Sequence, residues 1–434
     1  MTTLSTSHRP LSFGLADGER LIRDALFLAT FLLTWFTATP FPDLSASQSL
    51  AASTGGDLLG QVLMLLLTGA LAAFALVKRL WLVPRIVTLP LVLTLGVFAI
   101  SAMHSAYPDL AMRRLVLAVF IIFQSSMFLL LPCGREHFAR MLAVAAIIVL
   151  AACYLGVAFI PQLSIHQATD IAEPNLAGDW RGFFTHKNGA GAAMVLLIFM
   201  GIFIARAWNR LAGISIIVLA AIFLYFTHAK SPLNLLAPVL ILSYLAPRLR
   251  NSMLAFALVV AGPILLNLLT IGSVMFGAIK RFDAAIMSDP TFTGRDVIWS
   301  FALDHVPRHP LFGFGFESFW GMPDLVAEWN YLESWGYRAS DAHNGYLNLA
   351  VTVGPVGLAL ALWWIVVPSF IDYRRALALG VDRALTTLFI QIWIFALCLS
   401  SFESVFFAGG SALWSLTVMA IAGLRFQTLA KTAG

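Results

Sequence analysis

Long apolar runs alternate with short polar connections along almost the whole chain, and most runs match the roughly 20 residues an α-helix needs to cross a bilayer. On that ruler the pattern predicts about twelve spans, over residues 24–41, 58–77, 86–103, 115–132, 141–160, 189–205, 211–227, 232–247, 252–276, 344–367, 384–400 and 410–426. Two connections stand out by length, 161–188 after the fifth span and 277–343 after the ninth. The pattern predicts an all-α polytopic membrane protein, one membrane domain over 1–434, with a large loop between helices 9 and 10.

Composition agrees. The 434 residues are 60% hydrophobic and 11% charged, with a mean hydropathy of +0.86, outside the range of soluble globular domains. Cys133, Cys153 and Cys398 sit in or beside apolar runs rather than in a spaced framework, so they predict small buried hydrophobes and no disulfide or zinc site. Polar residues 1–23 are followed by an apolar run with no small-residue cleavage site, which reads as a retained first helix. The net charge of +5 comes with no basic run and no aromatic-basic interleaving on a soluble face, so no nucleic-acid partner is expected.

The charge instead reports topology. With the N-terminus cytoplasmic, most of the 27 basic residues fall on alternate, inner connections, among them Arg9, Arg79, Arg135, Arg206, Arg374, Arg383 and Lys431, and both termini come out cytoplasmic. The exceptions fall on the outer side: Arg113, Arg114, Arg181, Lys187, Lys230, Lys280, Arg281, Arg295, Arg308 and Arg338. Most belong to the two long loops, and the second loop is dense in aromatics from Trp299 to Trp320, with Trp329 and Trp335 beyond. Loops of this length and order usually carry function.

Inside the second loop, "TGRDVIWSFALDHVPRHP" places Ile298, Phe301, Ala302 and His305 at helical spacing. This predicts a short amphipathic helix at the outer interface, with Thr293 as its N-cap and Asp296 in its first turn. "LFGFGFESFWG" follows, its glycines suited to a tight turn near a ligand. Three spans begin on the outer side with polar residues: "RGFFTHKNGAG", "THAKSPL" and "DAHNGYLN". Outward helix N-termini together with Arg181, Arg295, Lys187 and Lys230 suggest a phosphate or pyrophosphate site, since Arg matches phosphate oxygens in geometry. Lys230 and Ser231 also read as a snorkelling lysine and an N-cap ahead of Pro232, and Asn188 as a cap. His343, beside Asn344, suits proton acceptance at neutral pH, with Glu317 and Glu403 as candidate carboxylate partners. No Ser-His-Asp order and no zinc-ligand spacing occurs, and no metal or cofactor is expected.

"RGFFTHKNGAG", "TGRDVIWSFALDHVPRHPLFGFGFESFWG" and "AHNGYLNLAVTVGPVGL" together resemble the motifs of the O-antigen ligase and polymerase superfamily, the Wzy-type enzymes. The "TGRDVIW" and "GFGFESFWG" forms look closest to rhizobial succinoglycan polymerization proteins. The resemblance implies metal-independent glycosyl transfer from an undecaprenyl-pyrophosphate-linked oligosaccharide, in the bacterial inner membrane with the site facing the periplasm. It implies Arg181 and Arg295 at the pyrophosphate and His343 near the transferring hydroxyl, all three as catalytic residues. Lys187, Asn188, Lys230, Ser231, Glu317 and Asn344 are the expected substrate-binding residues. It further implies membrane lipids and a chain-length-regulating co-polymerase as partners. Polymerisation into exopolysaccharide is the first expectation; a ligase passing the glycan to lipid A core is the alternative. A transporter or flippase would match the span count, but no repeat relates the two halves of the chain.

Overall fold

The structure, a computed structural model, describes residues 15–36, 40–45, 58–78, 83–171, 173–287, 289–322 and 339–430. Arg9, Arg79, Trp329, Trp335, Arg338 and Lys431 lie outside them. The described chain is all-α: α1 (Leu15–Leu33), α2 (Leu58–Lys78), α3 (Leu89–Met103), α4 (Pro108–Met127), α5 (Arg135–Phe159), α6 (Lys187–Ala207), α7 (Arg210–Thr227), α8 (Lys230–Leu245), α9 (Ser252–Leu269), α10 (Gly277–Ile286), α11 (Arg295–His305), α12 (Gly345–Thr352), α13 (Gly354–Leu379), α14 (Arg383–Leu399) and α15 (Ala412–Ala430). Among the described residues, eight helical segments are long and apolar enough to cross a membrane, and α3 and α14 are shorter apolar helices.

Each predicted span overlaps a helix; the first ends at Leu33, short of the predicted 41, and three further differences stand out. The first helix starts at Leu15 because its polar residues are helical too, held by the Arg23 to Glu19 hydrogen bond of 2.6 Å one turn apart. The span predicted over 252–276 breaks at Thr270 and resumes only as a short helix, Ile271–Met275. The span predicted over 344–367 divides into α12 and α13 at Gly354, whose φ of 75° is left-handed and which Pro355 follows. Proline lacks the N–H that would continue the ladder.

Burial sorts the helices. Of the apolar window in each, 78% is buried in α6 and 72% in α15, against 11% in α2 and 22% in α9, so the former pack at the centre and the latter face outward. The α6–α7 pair packs backbone to backbone: a Cβ on Gly213 would strike Ala205 and the Gly201 carbonyl, the small-residue contact that membrane helices use in place of hydrophobic driving force. Asn209 sets the turn between them by accepting from Ala212 N–H at 2.9 Å.

The outer loop folds onto the helix bundle. Helix α11 buries Ile298, Trp299, Phe301 and Ala302 in a second apolar cluster with Phe319, Trp320, Leu347 and Val351. Its apolar face therefore meets α12 of the same chain. The expected Thr293 cap is not formed: Gly294 holds that position with φ 78° and no side-chain cap, while Asp289 organises the preceding turn by accepting from Thr291 N–H at 3.0 Å and Thr293 N–H at 2.8 Å. The two glycines of "GFGFE" serve a protein contact. Phe314 N–H and Gly315 N–H donate to the Val351 and Thr352 carbonyls at 3.0 and 2.8 Å, and a Cβ at Gly313 would collide with that same backbone.

Candidate active site

The polar start of α12 and the loop after α14 converge on Glu403. Its Oε1 accepts from Arg295 Nη2 at 2.9 Å and from Asn188 Nδ2 at 2.9 Å, and its Oε2 lies 3.5 Å from His343 Nδ1. Arg295 also donates to the Phe402 carbonyl, so its planar fork holds two points of the same loop. One carboxylate thus joins the N-terminal ends of α6 and α11 to the residue before the α12 cap.

Local structure fixes the geometry. Asn344 is fully buried and caps α12, its Oδ1 accepting from Tyr346 and Leu347 N–H at 3.1 and 3.0 Å. Its Nδ2 donates to Asn267 Oδ1 and the Ser401 carbonyl at 3.0 and 3.1 Å, while Gly345 N–H donates to the Ser400 carbonyl at 2.7 Å. These bonds hold the loop containing Glu403 against α12. His343 takes a left-handed φ of 46°, stabilised where its N–H donates to Asp341 Oδ1 at 2.7 Å. The imidazole is thereby left partly accessible, with its side chain 25% exposed.

The electrostatics follow from burial and pairing. Burial alone would raise the Glu403 carboxyl, but the Arg295 charge and then the His343 hydrogen bond outweigh it, holding Glu403 well below the usual carboxylate range. Burial pulls His343 down, yet the Asp341 charge and the Glu403 hydrogen bond reverse that, so His343 titrates above the ordinary histidine value. Glu403 is a fixed anion, and His343 is a base whose proton it supports.

A second set of pairs comes from the first outer loop. Lys187 Nζ lies 2.6 Å from Asp179 Oδ2, whose other oxygen is 2.6 Å from His228 Nδ1. His186 Nε2 meets Glu173 Oε2 at 2.9 Å, and its Nδ1 caps α6 by accepting from Asn188 N–H at 3.1 Å. His166 Nδ1 lies 2.8 Å from Asp170 Oδ2. Burial would raise Glu173, but His186, His166 and the nearby His343 charge lower it, and the loop meets the Glu403 cluster where Asn188, two residues past the His186 cap, donates to Glu403.

Glu317 occupies a third position. Its carbonyl accepts from Arg114 Nη1, and its Oε1 accepts from Asn348 Nδ2 at 3.3 Å. Burial first, then the Asp341 charge, push its carboxyl up from 4.5 to about 7, against Arg114 and Asn348. The folded protein therefore holds a proton that the unfolded chain releases, so this group's contribution to stability is present below about pH 4.5 and is lost as the pH rises through 7. Glu317→Gln is expected to flatten that part of the curve of thermal midpoint against pH. An unchanged slope between those values would show that Glu317 ionises normally.

The expected site residues separate on this geometry. Arg295, Asn188 and His343 meet at Glu403; Lys187 lies in the adjoining Asp179 pair; Glu317 reaches the segment before α12 through Asn348, whose Oδ1 accepts from Ala342 N–H at 3.4 Å. Arg181 is fully buried, its guanidinium donating to the Phe184 and Pro42 carbonyls at 3.0 and 2.9 Å, so it fastens the first outer loop to the segment after α1. Lys230 is exposed in the first turn of α8, where its charge acts on Asp289. Ser231 is not the cap: Ala229 holds that position, and the N–H of Ala229 is satisfied by Thr227 Oγ1 at 3.2 Å.

The polar starts of α6, α11 and α12 thus bring an arginine, an imidazole and an amide onto one carboxylate. Residues 215–362 match the family model of O-antigen ligase. No curated protein matches the chain. The match covers about a third of the chain and marks that stretch as similar to the O-antigen ligase family. It takes in Lys230, Arg295, Glu317, His343 and Asn344. Glu403 and the first outer loop fall outside it and join the site through the contacts described above.

Proposed function

We propose that this chain is a glycosyltransferase that polymerises undecaprenyl-pyrophosphate-linked oligosaccharide repeats into exopolysaccharide at the periplasmic face of the inner membrane, as the likeness to succinoglycan polymerization proteins suggests. The observation that carries the reading is the single Glu403 carboxylate shared by Arg295, Asn188 and His343. An acceptor sugar hydroxyl attacks the anomeric carbon of the donor, a carbon–oxygen bond forms, and the bond to pyrophosphate breaks. His343 orients the hydroxyl and takes its proton late, with Glu403 stabilising the imidazolium. Arg295 and Lys187, released from their carboxylates toward the incoming anion, stabilise the leaving pyrophosphate, and buried Arg181 adds its fixed positive field. Lys230 and Ser231 flank the approach from α8, and a chain-length-regulating co-polymerase is the expected partner.

The ligase reading, which carries the description of the matched family model, keeps the same donor chemistry and changes only the acceptor. Complementation of a polymer-deficient strain with His343→Ala at matched membrane levels separates the two. The polymerase reading expects single repeats to accumulate on the carrier. Long carrier-linked chains that fail to reach lipid A would establish the ligase, and unchanged polymer would remove His343 from the site.

A further inference from the structure

At the end of the helices remote from Glu403 the structure contains an open cavity of about 460 Å³, within the size range of ligand sites. It lies where α5 begins, where α13 turns into α14 and where α15 nears its end, each of these helices having its other end toward the outer loops. The walls are apolar, formed by Leu129, Phe138, Leu385, Phe389 and Phe426, with Val381 at the α13–α14 turn. The Phe389 ring lies directly on Gly423, where any side chain would collide, so the floor is an aromatic face.

The polar lining consists of Arg135, Asp382 and Gln427. Arg135 Nε lies 3.2 Å from Asp382 Oδ2 and its Nη2 donates to the Arg206 carbonyl at 2.7 Å. Asp382 is held in turn as the cap of α14, accepting from Ala384 and Leu385 N–H at 2.9 and 3.1 Å. The Arg135 side chain nonetheless remains 45% exposed, and a guanidinium carries five N–H donors. This end of the bundle also bears Arg206, Arg374, Arg375 and Arg383, a basic belt near the ends of apolar helices of the kind that attracts anionic headgroups.

An apolar cleft opening beneath an arginine matches an amphiphile with a hydrocarbon tail and an anionic head. We propose that this cavity is a binding site for an anionic phospholipid, one acyl chain lying against Phe389 and Phe426 and the phosphate resting on Arg135. The site is independent of the glycosyl-transfer chemistry and lies at the opposite end of the same helices.

Native mass spectrometry after reconstitution with equal phosphatidylglycerol and phosphatidylcholine of identical chains tests it. The wild-type chain is expected to retain phosphatidylglycerol over phosphatidylcholine by about ten-fold, because the phosphatidylcholine phosphate is neutralised by a quaternary ammonium that the Arg135 charge repels, whereas the phosphatidylglycerol head is a net anion. Val381→Trp, which fills the cavity from the turn, is expected to lose retained lipid of both kinds. Arg135→Gln is expected to keep lipid but bring the two headgroups to parity. Excess inorganic phosphate is expected to displace nothing, because the tail supplies the anchor. A wild-type chain without headgroup preference, Val381→Trp retaining the wild-type amount, or displacement by inorganic phosphate would each overturn the proposal. If Val381→Trp does not fold, Arg135→Gln decides the matter, since an undiminished preference in that variant excludes the arginine.

Discussion

Glu403→Gln is expected to slow glycosyl transfer by about 10²- to 10³-fold, the loss seen when one preorganised electrostatic contact is removed from an enclosed site. The substitution preserves shape but cancels the charge that Arg295, Asn188 and His343 share. His343 then loses both the hydrogen bond and the anion that help raise its affinity for a proton. Because a base acts in its neutral form, the limb of the pH–rate profile that reports His343 is expected to move to lower pH in this variant. A rate loss with an unmoved limb would assign Glu403 a merely structural role. Steady-state rates of carrier release, measured across pH for wild type and variant, provide both readouts.

Arg295→Ala is expected to abolish transfer and to destabilise the folded protein by about 3 kcal/mol, because it strands a largely enclosed carboxylate. The Arg295 and Glu403 side chains are only 12% and 22% exposed, so solvent does little to compensate. The double variant Arg295→Ala with Glu403→Gln is expected to regain most of the stability while remaining inactive, since the unpaired charge is gone but the site is not restored. Arg295→Lys keeps the charge but lacks the planar fork that can hold the Phe402 carbonyl and turn a second N–H to the leaving pyrophosphate, so it too is expected to fall far below wild type. Thermal unfolding in detergent and a transfer assay on the same preparations separate these effects. Wild-type activity in Arg295→Lys would reduce the arginine to a bulk charge.

Much of the helical framework was legible because apolar run length is a direct consequence of bilayer thickness. The break between α12 and α13 was also written in the chain, at Gly354-Pro355, but the apolar run through it masked the signal. Arg295 and His343 were recognisable from their motifs and from the chemistry of an outward cation and a neutral-pH base. Glu403 stood only as one of two candidate partners for His343, and its simultaneous pairing with Arg295 and Asn188 was not visible. Glu403 lies 215 positions from Asn188, 108 from Arg295 and 60 from His343, and only the packing of α6, α11 and α12 against the loop after α14 brings them together. Arg181 shows the converse: a loop arginine reads as a free cation, yet the fold commits it to two backbone carbonyls. The Asp179, Glu173 and Asp170 pairings were hidden for the same reason, since sequence gives the charges but not their neighbours.

The most direct test supplies the purified protein in lipid nanodiscs with an undecaprenyl-pyrophosphate-linked repeat unit as sole substrate and follows chain length and carrier release together. The account predicts carrier-linked chains of increasing length, one undecaprenyl pyrophosphate released for each repeat added, and neither product from Glu403→Gln at comparable enzyme concentration. Transfer that begins only when a lipid A core acceptor is added, with no elongation on the carrier before that, would contradict it.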